Sequence, residues 1–437
     1  MKNRMVVVAW TCSAASMAFA DVVSFVPAAP ILAAQRPSGV AIADFTGDGR
    51  ADIAVTVDTP DRVLMFAGNA DGTFAAPTTR VLPNGAGAGD IVAIDADGDT
   101  DMDIAVCYQN LAQVQVLTNT AGVFALGPTA TVGTNPRGIR AANIDGDGDT
   151  DLAVVNRDSG TVSVLTNTGA GFTVASQNAG TDPWALAFGD TDGDGDGDMA
   201  VASHGDRVVR LFSNSAGVFA PGATLAVPNN DRPGGVAIAH IAGSALPEVL
   251  ATSDDNGAGF VSVFANTGGV FAGGVRFPTL GQNSGPVMAV DVDLDADMDV
   301  VVANSDSGNI SVLLNLGTGA LGGAVLLGTG AGPTALDAGS VNAGVMPDLV
   351  VANRDANTVT VLLNTAQPPT PACDTIDFNQ DGLFPDTQDI TDFIAVFGGA
   401  PCPTGVCGDI DFNNDGLFPD TQDITTLITV FAGGACS

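Results

Sequence analysis

Aspartates spaced two apart and closed by a ninth-position acid recur along this chain. Such a pattern can do the chemistry of a hard divalent cation. Asp95, Asp97, Asp99 and Asp103 form one set; Asp190, Asp192, Asp194 and Asp198 a second; Asp291, Asp293, Asp295 and Asp299 a third. Asn143, Asp145, Asp147 and Asp151 form a fourth, with an amide oxygen in first place. When such a loop curls, positions one, three and five project oxygens to one point. Position seven can add a carbonyl and position nine a carboxylate, which together supply the roughly six oxygens that calcium takes. Magnesium demands tighter octahedral geometry and is second choice. Without a cation, carboxylates held about 5 Å apart repel one another and some hold protons. Asp44, Asp48 and Asp52 make a weaker set, because Thr46 stands at the third position. Two further stretches, ending at Glu248 and Asp348, have lost the first three acids. The expectation is four good calcium sites, one fair one and two repeats without metal; the bland alternative is a series of acidic surface turns.

These loops keep a beat of about 49 residues, with ninth positions at Asp52, Asp103, Asp151, Asp198, Glu248, Asp299 and Asp348. A second marker keeps the same beat: Phe25, Phe74, Phe124, Phe172, Phe219, Phe271 and Leu321. A fixed period in this range signals an array of supersecondary units, often a propeller. In the third copy, Gly138 to Ala142 leads into the acidic loop, and Leu152 to Asn156 is an apolar run. Arg157 to Gly160 is a turn, Thr161 to Leu165 alternates with period two, and a fourth strand begins at Phe172. Four strands and three tight turns make one propeller blade. The seventh copy stops at Ala366 without its Phe strand, while Val22 to Phe25 is a spare strand before any loop. Pairing the spare strand with blade seven would close the ring and remove its edge. The predicted fold over 21–366 is therefore all-β: a seven-bladed propeller of four-stranded blades, with the N-terminal strand closing blade seven.

Composition limits the partners. The 437 residues carry 14 basic and 49 acidic side chains, for a formal charge of −35. No cationic surface is available for nucleic acid or anionic lipid, and no segment beyond the leader is apolar enough for membrane insertion. Residues 1–20 read as a secretory signal: Lys2 and Arg4, then an apolar run from Met5, then Ala18-Phe19-Ala20 at the cleavage positions. The expected location is secreted or cell-surface associated. Cys107 stands alone in the repeats and reads as a buried apolar residue. Cys373, Cys402, Cys407 and Cys436 cluster at the end. Of three connectivities, the duplicated 29-residue spacing favours Cys373–Cys402 and Cys407–Cys436.

Residues 367–372 form a proline-rich linker. Beyond it, Asp377, Asn379, Asp381 and Asp389 recur as Asp411, Asn413, Asp415 and Asp423, each set preceding a short helix-like stretch. Oxygens at one, three and five with a glycine at six match an EF-hand type of calcium loop.

The propeller loops, with their Phe markers, resemble FG-GAP or VCBS-type repeats over residues 21–366, the fold of integrin alpha heads. That resemblance implies calcium in the loop joining each blade's first two strands, and a binding surface on the opposite face. The tail, 373–437, resembles a dockerin, an α-helical module whose helices dock a cohesin partner. It departs from that pattern in having its late acid thirteenth and in its terminal cysteines.

No catalytic set is legible. His204 and His240 lie in different blades, and Cys107 has no histidine at a readable spacing. Arg157 and Arg354 share one place in the turn after strand two, with His204 aligned, while Arg36, Arg137 and Arg232 lie in blade-to-blade connections. If these turns share the face opposite the loops, they form a positive ring; the alternative is pairing with Asp158 and Asp355. The chain thus reads as a secreted, non-enzymatic calcium scaffold for adhesion or for an extracellular protein or polysaccharide ligand, attached through its tail. The rival is a lectin or polysaccharide-active enzyme, with a cleft using Tyr108, Trp184 or His204.

Overall fold

A second strand with every residue buried recurs in the blades: Asp103–Tyr108, Asp151–Asn156, Asp198–Ser203, Asp299–Asn304 and Asp348–Asn353. Their Val, Ala, Ile and Leu side chains bury both faces of the sheet against neighbouring blades, so these strands read as continuous apolar runs. Each fully buried Val or Leu contributes on the order of 1.5–3 kcal/mol. The computed structural model describes residues 23–366, apart from 34, 256, 318 and 343. The leader, the linker and the tail, with its two acidic loops and four cysteines, lie outside the described residues.

Blades one to six are four-stranded antiparallel sheets in sequence order. Blade three comprises Pro136–Ala142, Asp151–Asn156, Thr161–Asn167 and Phe172–Asn178. First strands of successive blades touch all round the ring, and Pro333–Gly339 of blade seven touches Gln35–Ala43 of blade one, which closes it. Blade seven supplies three strands of its own. Phe25–Pro27 pairs antiparallel with Thr358–Asn364, Phe25 opposite Asn364, and Ile31–Leu32 pairs further along the same strand. The N-terminal strand thus closes blade seven as expected, but it lies at Phe25–Pro27 and not at Val22 to Phe25. No α-helix occurs among the described residues.

One detail differs from the sequence reading. The marker opens the fourth strand in blades two, three and four. In blades one, five and six, Phe74, Phe271 and Leu321 make only short bridges, and the fourth strand begins at Thr78, Val275 and Val325. Pro77, the pair Gly273-Gly274 and the pair Gly322-Gly323 stand between. Proline lacks the ladder donor and glycine weakens a strand, so the pairing restarts beyond them.

The innermost strands bring charge toward the axis. Arg140 of blade three donates to Asp90 of blade two at 3.1 Å, and Asp337 of blade seven accepts the Ile42 N–H at 2.9 Å. Burial raises the Asp337 carboxyl to about 6, against its backbone bonds and the charge of Arg140.

Two outcomes follow. Deleting residues 23–32 is expected to leave Thr358–Asn364 as an exposed edge, so the truncated protein should melt lower and scatter light on heating; an unchanged melt would remove the closure role. For Asp337, the folded value lies above the unfolded carboxylate value of about 3.9. The folded state then holds the extra proton, and stability falls as pH rises from about 4 through about 6. In chelator, Asp337→Asn is expected to flatten part of that fall in urea titrations at successive pH values, and superimposable profiles would contradict it.

Candidate metal centres

The ninth-position acids are buried in all seven blades, between 0% and 1% exposed. Burial requires that a carboxylate be hydrogen-bonded, and backbone amides do this. Asp103 accepts the Ala96 N–H at 3.0 Å and the Asn119 N–H at 2.6 Å. Asp151 accepts from Ile144 and Asn167, Asp198 from Thr191 and Asn214, Asp299 from Val292 and Asn315, and Asp348 from Val341 and Asn364. Asp52 does the same with Phe45, Thr46 and Gly68. Glu248 accepts from Ile241, Ala242 and the Ser244 hydroxyl. One carboxylate thus ties loop position two to the end of the third strand, except in blade five, where it ties the loop to itself. The acid persists in blades five and seven, where the first three acids are gone. It belongs to the fold before it belongs to any metal.

The other acids behave differently. Asp95, Asp97 and Asp99 bring one carboxylate oxygen each to within 4.8 Å of one another; so do Asp190, Asp192 and Asp194, and Asp291, Asp293 and Asp295. The curl that gathers them uses the first acid as an anchor. Asp95 Oδ1 accepts the Gly98 N–H at 2.8 Å and Asp190 Oδ1 the Gly193 N–H at 2.7 Å. Gly98, Gly193 and Gly195 take positive φ there, at 78°, 86° and 95°. Blade six makes the same curl without glycine: Leu294 and Ala296 sit at φ 58° and 74°. A Cβ in that region costs about 1–2 kcal/mol per residue; blade two takes one such residue, Thr100 at φ 76°, and blade six takes two.

Burial raises Asp103 to about 6 and Asp299 to about 7, against their backbone bonds. The negative charges of Asp97 and Asp99, and of Asp293 and Asp295, push in the same direction as burial. Asp103 and Asp299 therefore lie within electrostatic reach of their loops' acids. In blade three the curl is the same, with Asn143 accepting the Gly146 N–H at 2.9 Å and Asp147 accepting from Asp149. Blade one differs. Asp44 accepts from Gly47, Asp48 and Gly49, while the Arg50 guanidinium lies on Asp48. That loop carries its own cation.

Two roles were hidden in the sequence. The asparagine that ends each third strand donates its amide to loop position two of the preceding blade: Asn119 to the Phe45 carbonyl, Asn167 to Ala96, Asn214 to Ile144, Asn266 to Thr191, Asn315 to Ile241 and Asn364 to Val292, at 2.7–3.0 Å. Blade one has Gly68 at this place, where a Cβ would lie 2.1 Å from the Ala51 carbonyl oxygen. The asparagine's fixed place in the period was its only signal, and as sequence it reads simply as a turn residue. The aromatic markers pack beside the same position. Phe124 meets Phe45 edge to face at 5.9 Å, and Phe172 shares a cluster with Ala96, Phe219 with Ile144, Leu321 with Ile241, Phe25 with Val292 and Phe74 with Val341. Each acidic loop is thereby stapled to the following blade.

On the opposite face the turn arginines Arg157 and Arg354 do pair, though not with Asp158 or Asp355. Arg157 bonds Asp182, which also holds His204 Nδ1 at 3.1 Å. Trp184 stacks on His204 at 4.4 Å, and the Arg157 guanidinium lies 5.2 Å from its ring centre. Arg354 and Arg36 both approach Asp58 at 3.6 Å. His240 faces the Ser244 carbonyl in the degenerate loop of blade five. Cys107 and Tyr108 are buried in the core, and burial pushes the thiol well above its ordinary value.

Comparison with known proteins agrees with this architecture. A family model described as FG-GAP-like repeat matches residues 44–106 and 143–201, each match spanning an acidic loop and the second strand of the next blade. The chain carries FG-GAP-like repeats built into a seven-bladed propeller. No curated protein matches it. Among solved structures, BBS1N in complex with ARL6DN, soaked with lead, is 14% identical, with a TM-score of 0.56 over 78% of this chain and 98% of that one. A protein from Lactobacillus plantarum is 17% identical, with a TM-score of 0.52 over 70% and 89%. At these identities the likeness is one of fold.

The staple makes a direct forecast. Asn214→Ala removes donors to the Ile144 and Gly197 carbonyls and an acceptor for Gly217. Leaving such buried groups unpaired is expected to cost about 1–3 kcal/mol in urea unfolding, and a loss below a few tenths would show the staple to be idle.

Proposed function

We propose that the protein is an exported, non-enzymatic binding scaffold whose propeller is stabilised by calcium in its acidic loops. The observation that carries this reading is the gathering of three carboxylates within 4.8 Å in each of three loops. Asp95, Asp97 and Asp99, Asp190, Asp192 and Asp194, and Asp291, Asp293 and Asp295 would hold the ions, with Asn143, Asp145 and Asp147 as a fourth set. Bound cations would supply the positive charge that these loops lack. The strain at Leu294 and Ala296 supports the reading, because an unfavourable curl persists when something gains from it. Effects would spread beyond a loop, since its second residue is held by the following blade's asparagine and aromatic marker. The tail, with its two EF-hand-like loops and paired cysteines, is proposed to attach this scaffold to a surface or complex through a cohesin-like partner.

Extracellular sites of this type bind at about 0.1–1 mM. At about 10 mM calcium each would add roughly 1.4–2.7 kcal/mol. The full chain should therefore melt higher in calcium than in chelator. Asp192→Ala should remove one ion from the calorimetric stoichiometry, and changes in the Glu248 loop should remove none. Identical melts and no heat of binding would end the calcium reading.

A further inference from the structure

The turn that joins the third and fourth strands of blade four touches two acidic loops at once. Ala216 and Gly217 connect Val208–Ser215 to Val218–Ala226, both at positive φ, 48° and 83°. The Ala216 N–H donates to the Asp196 carboxylate, in blade four's own loop, at 3.0 Å. Gly217 lies on the loop of blade three, so close that a Cβ would stand 2.8 Å from Asp145 Cβ. Its N–H donates to Asn214 Oδ1 at 2.9 Å. Asn214 makes the same crossing: Asp198 accepts its backbone N–H at 2.8 Å, and its side-chain amide donates to the Ile144 carbonyl at 2.7 Å. Two arms therefore leave the blade-four loop, from Asp198 and from Asp196, and reach positions two and three of the blade-three loop.

Among the described residues this is the one place where both arms join two loops with a full set of ligands. Blade three makes the first arm to blade two through Asn167. It carries Ala170 in the place of Gly217, and a Cβ on Gly169 or Gly171 would meet nothing within 4 Å. Blade two has Asp101 on the Ala121 N–H, but its Gly122 faces Thr46, in the incomplete loop of blade one. Blade five has Gly269 beside Asp192, but Leu246 stands in the place of Asp196.

We propose that the Ala216-Gly217 turn couples the candidate cation sites of blades three and four, so that filling either raises the affinity of the other. In such a loop position seven would give its backbone carbonyl to the ion, which leaves the Asp196 carboxylate for the turn. Ordering the blade-four loop then holds Asn214, Ala216 and Gly217, and these hold Ile144 and Asp145 in the curled form. The second ion meets a loop already ordered, so less conformational entropy is lost on binding. The coupling rests on the reading of these loops as calcium sites and adds their mutual regulation.

Hydrogen exchange of the full chain, read by mass spectrometry during a calcium titration, follows residues 95–103, 143–151 and 190–198 separately. Asp192→Ala is expected to raise the calcium midpoint of 143–151 about fivefold or more and to leave that of 95–103 unchanged. Asp147→Ala is expected to raise the midpoint of 190–198 by the same factor, because coupling between binding sites is reciprocal. Asp196→Ala keeps Asp190, Asp192, Asp194 and Asp198 but removes one arm, so on that background Asp192→Ala is expected to move 143–151 less. In chelator, 143–151 should exchange alike in the parent and in Asp192→Ala, which a merely structural contact would not give. An unmoved midpoint in either single variant, or a 143–151 loop already altered in chelator, overturns the coupling and leaves the calcium reading standing where calcium protects the parent loops. An undiminished shift on the Asp196→Ala background overturns the role of the turn. Calcium protecting none of the three loops overturns the calcium reading and the coupling together.

Discussion

The whole ring depends on one buried carboxylate per blade. In six blades it joins the loop between the first two strands to the end of the third strand through backbone N–H groups. It is expensive to bury, as the raised values at Asp103 and Asp299 show. The return is geometric: loop position two is fixed where the following blade's asparagine and aromatic marker can reach it. Blade five uses a glutamate, whose longer reach is taken up by Ser244. A repeat can lose its gathered acids and remain a blade. It cannot lose the ninth-position acid without orphaning those amides.

The two faces of the ring are chemically distinct for a topological reason. First strands run toward the acidic loops and second strands run away, so every loop between them falls on one face and every turn after strand two on the other. The gathered acids thus fall on one face, while the turns after strand two place Arg157, Arg207 and Arg354 among Asp158, Asp206, Asp306 and Asp355 on the other.

The junction of blades seven and one is built differently from the others. Gly68 replaces the asparagine staple there, and the first strands, the Phe74–Val341 packing and the displaced Phe25–Pro27 strand carry the closure. Joining the ring at that seam by a strand from the far end of the chain is a non-local contact, and its loop-closure entropy is the largest in the fold.

Much of this was legible in the residues. The 49-residue beat, the alternation of Thr161 to Leu165 and the spare strand near Phe25 were enough for seven blades and their closure, because strand period and turn chemistry are local properties. The curl of Asp95 to Asp99 was legible too, since Asx turns and left-handed glycines act within a few residues. The sequence could not divide labour among its acids. Asp99 and Asp103 look alike as letters, yet one lies exposed in a gathered set and the other is sealed among amides. Nor could it show that Asn214 serves blade three, or that Arg157 pairs with Asp182 instead of Asp158. Those facts exist only once blades are set side by side, because burial and long-range charge depend on neighbours that the linear order keeps dozens to hundreds of residues apart.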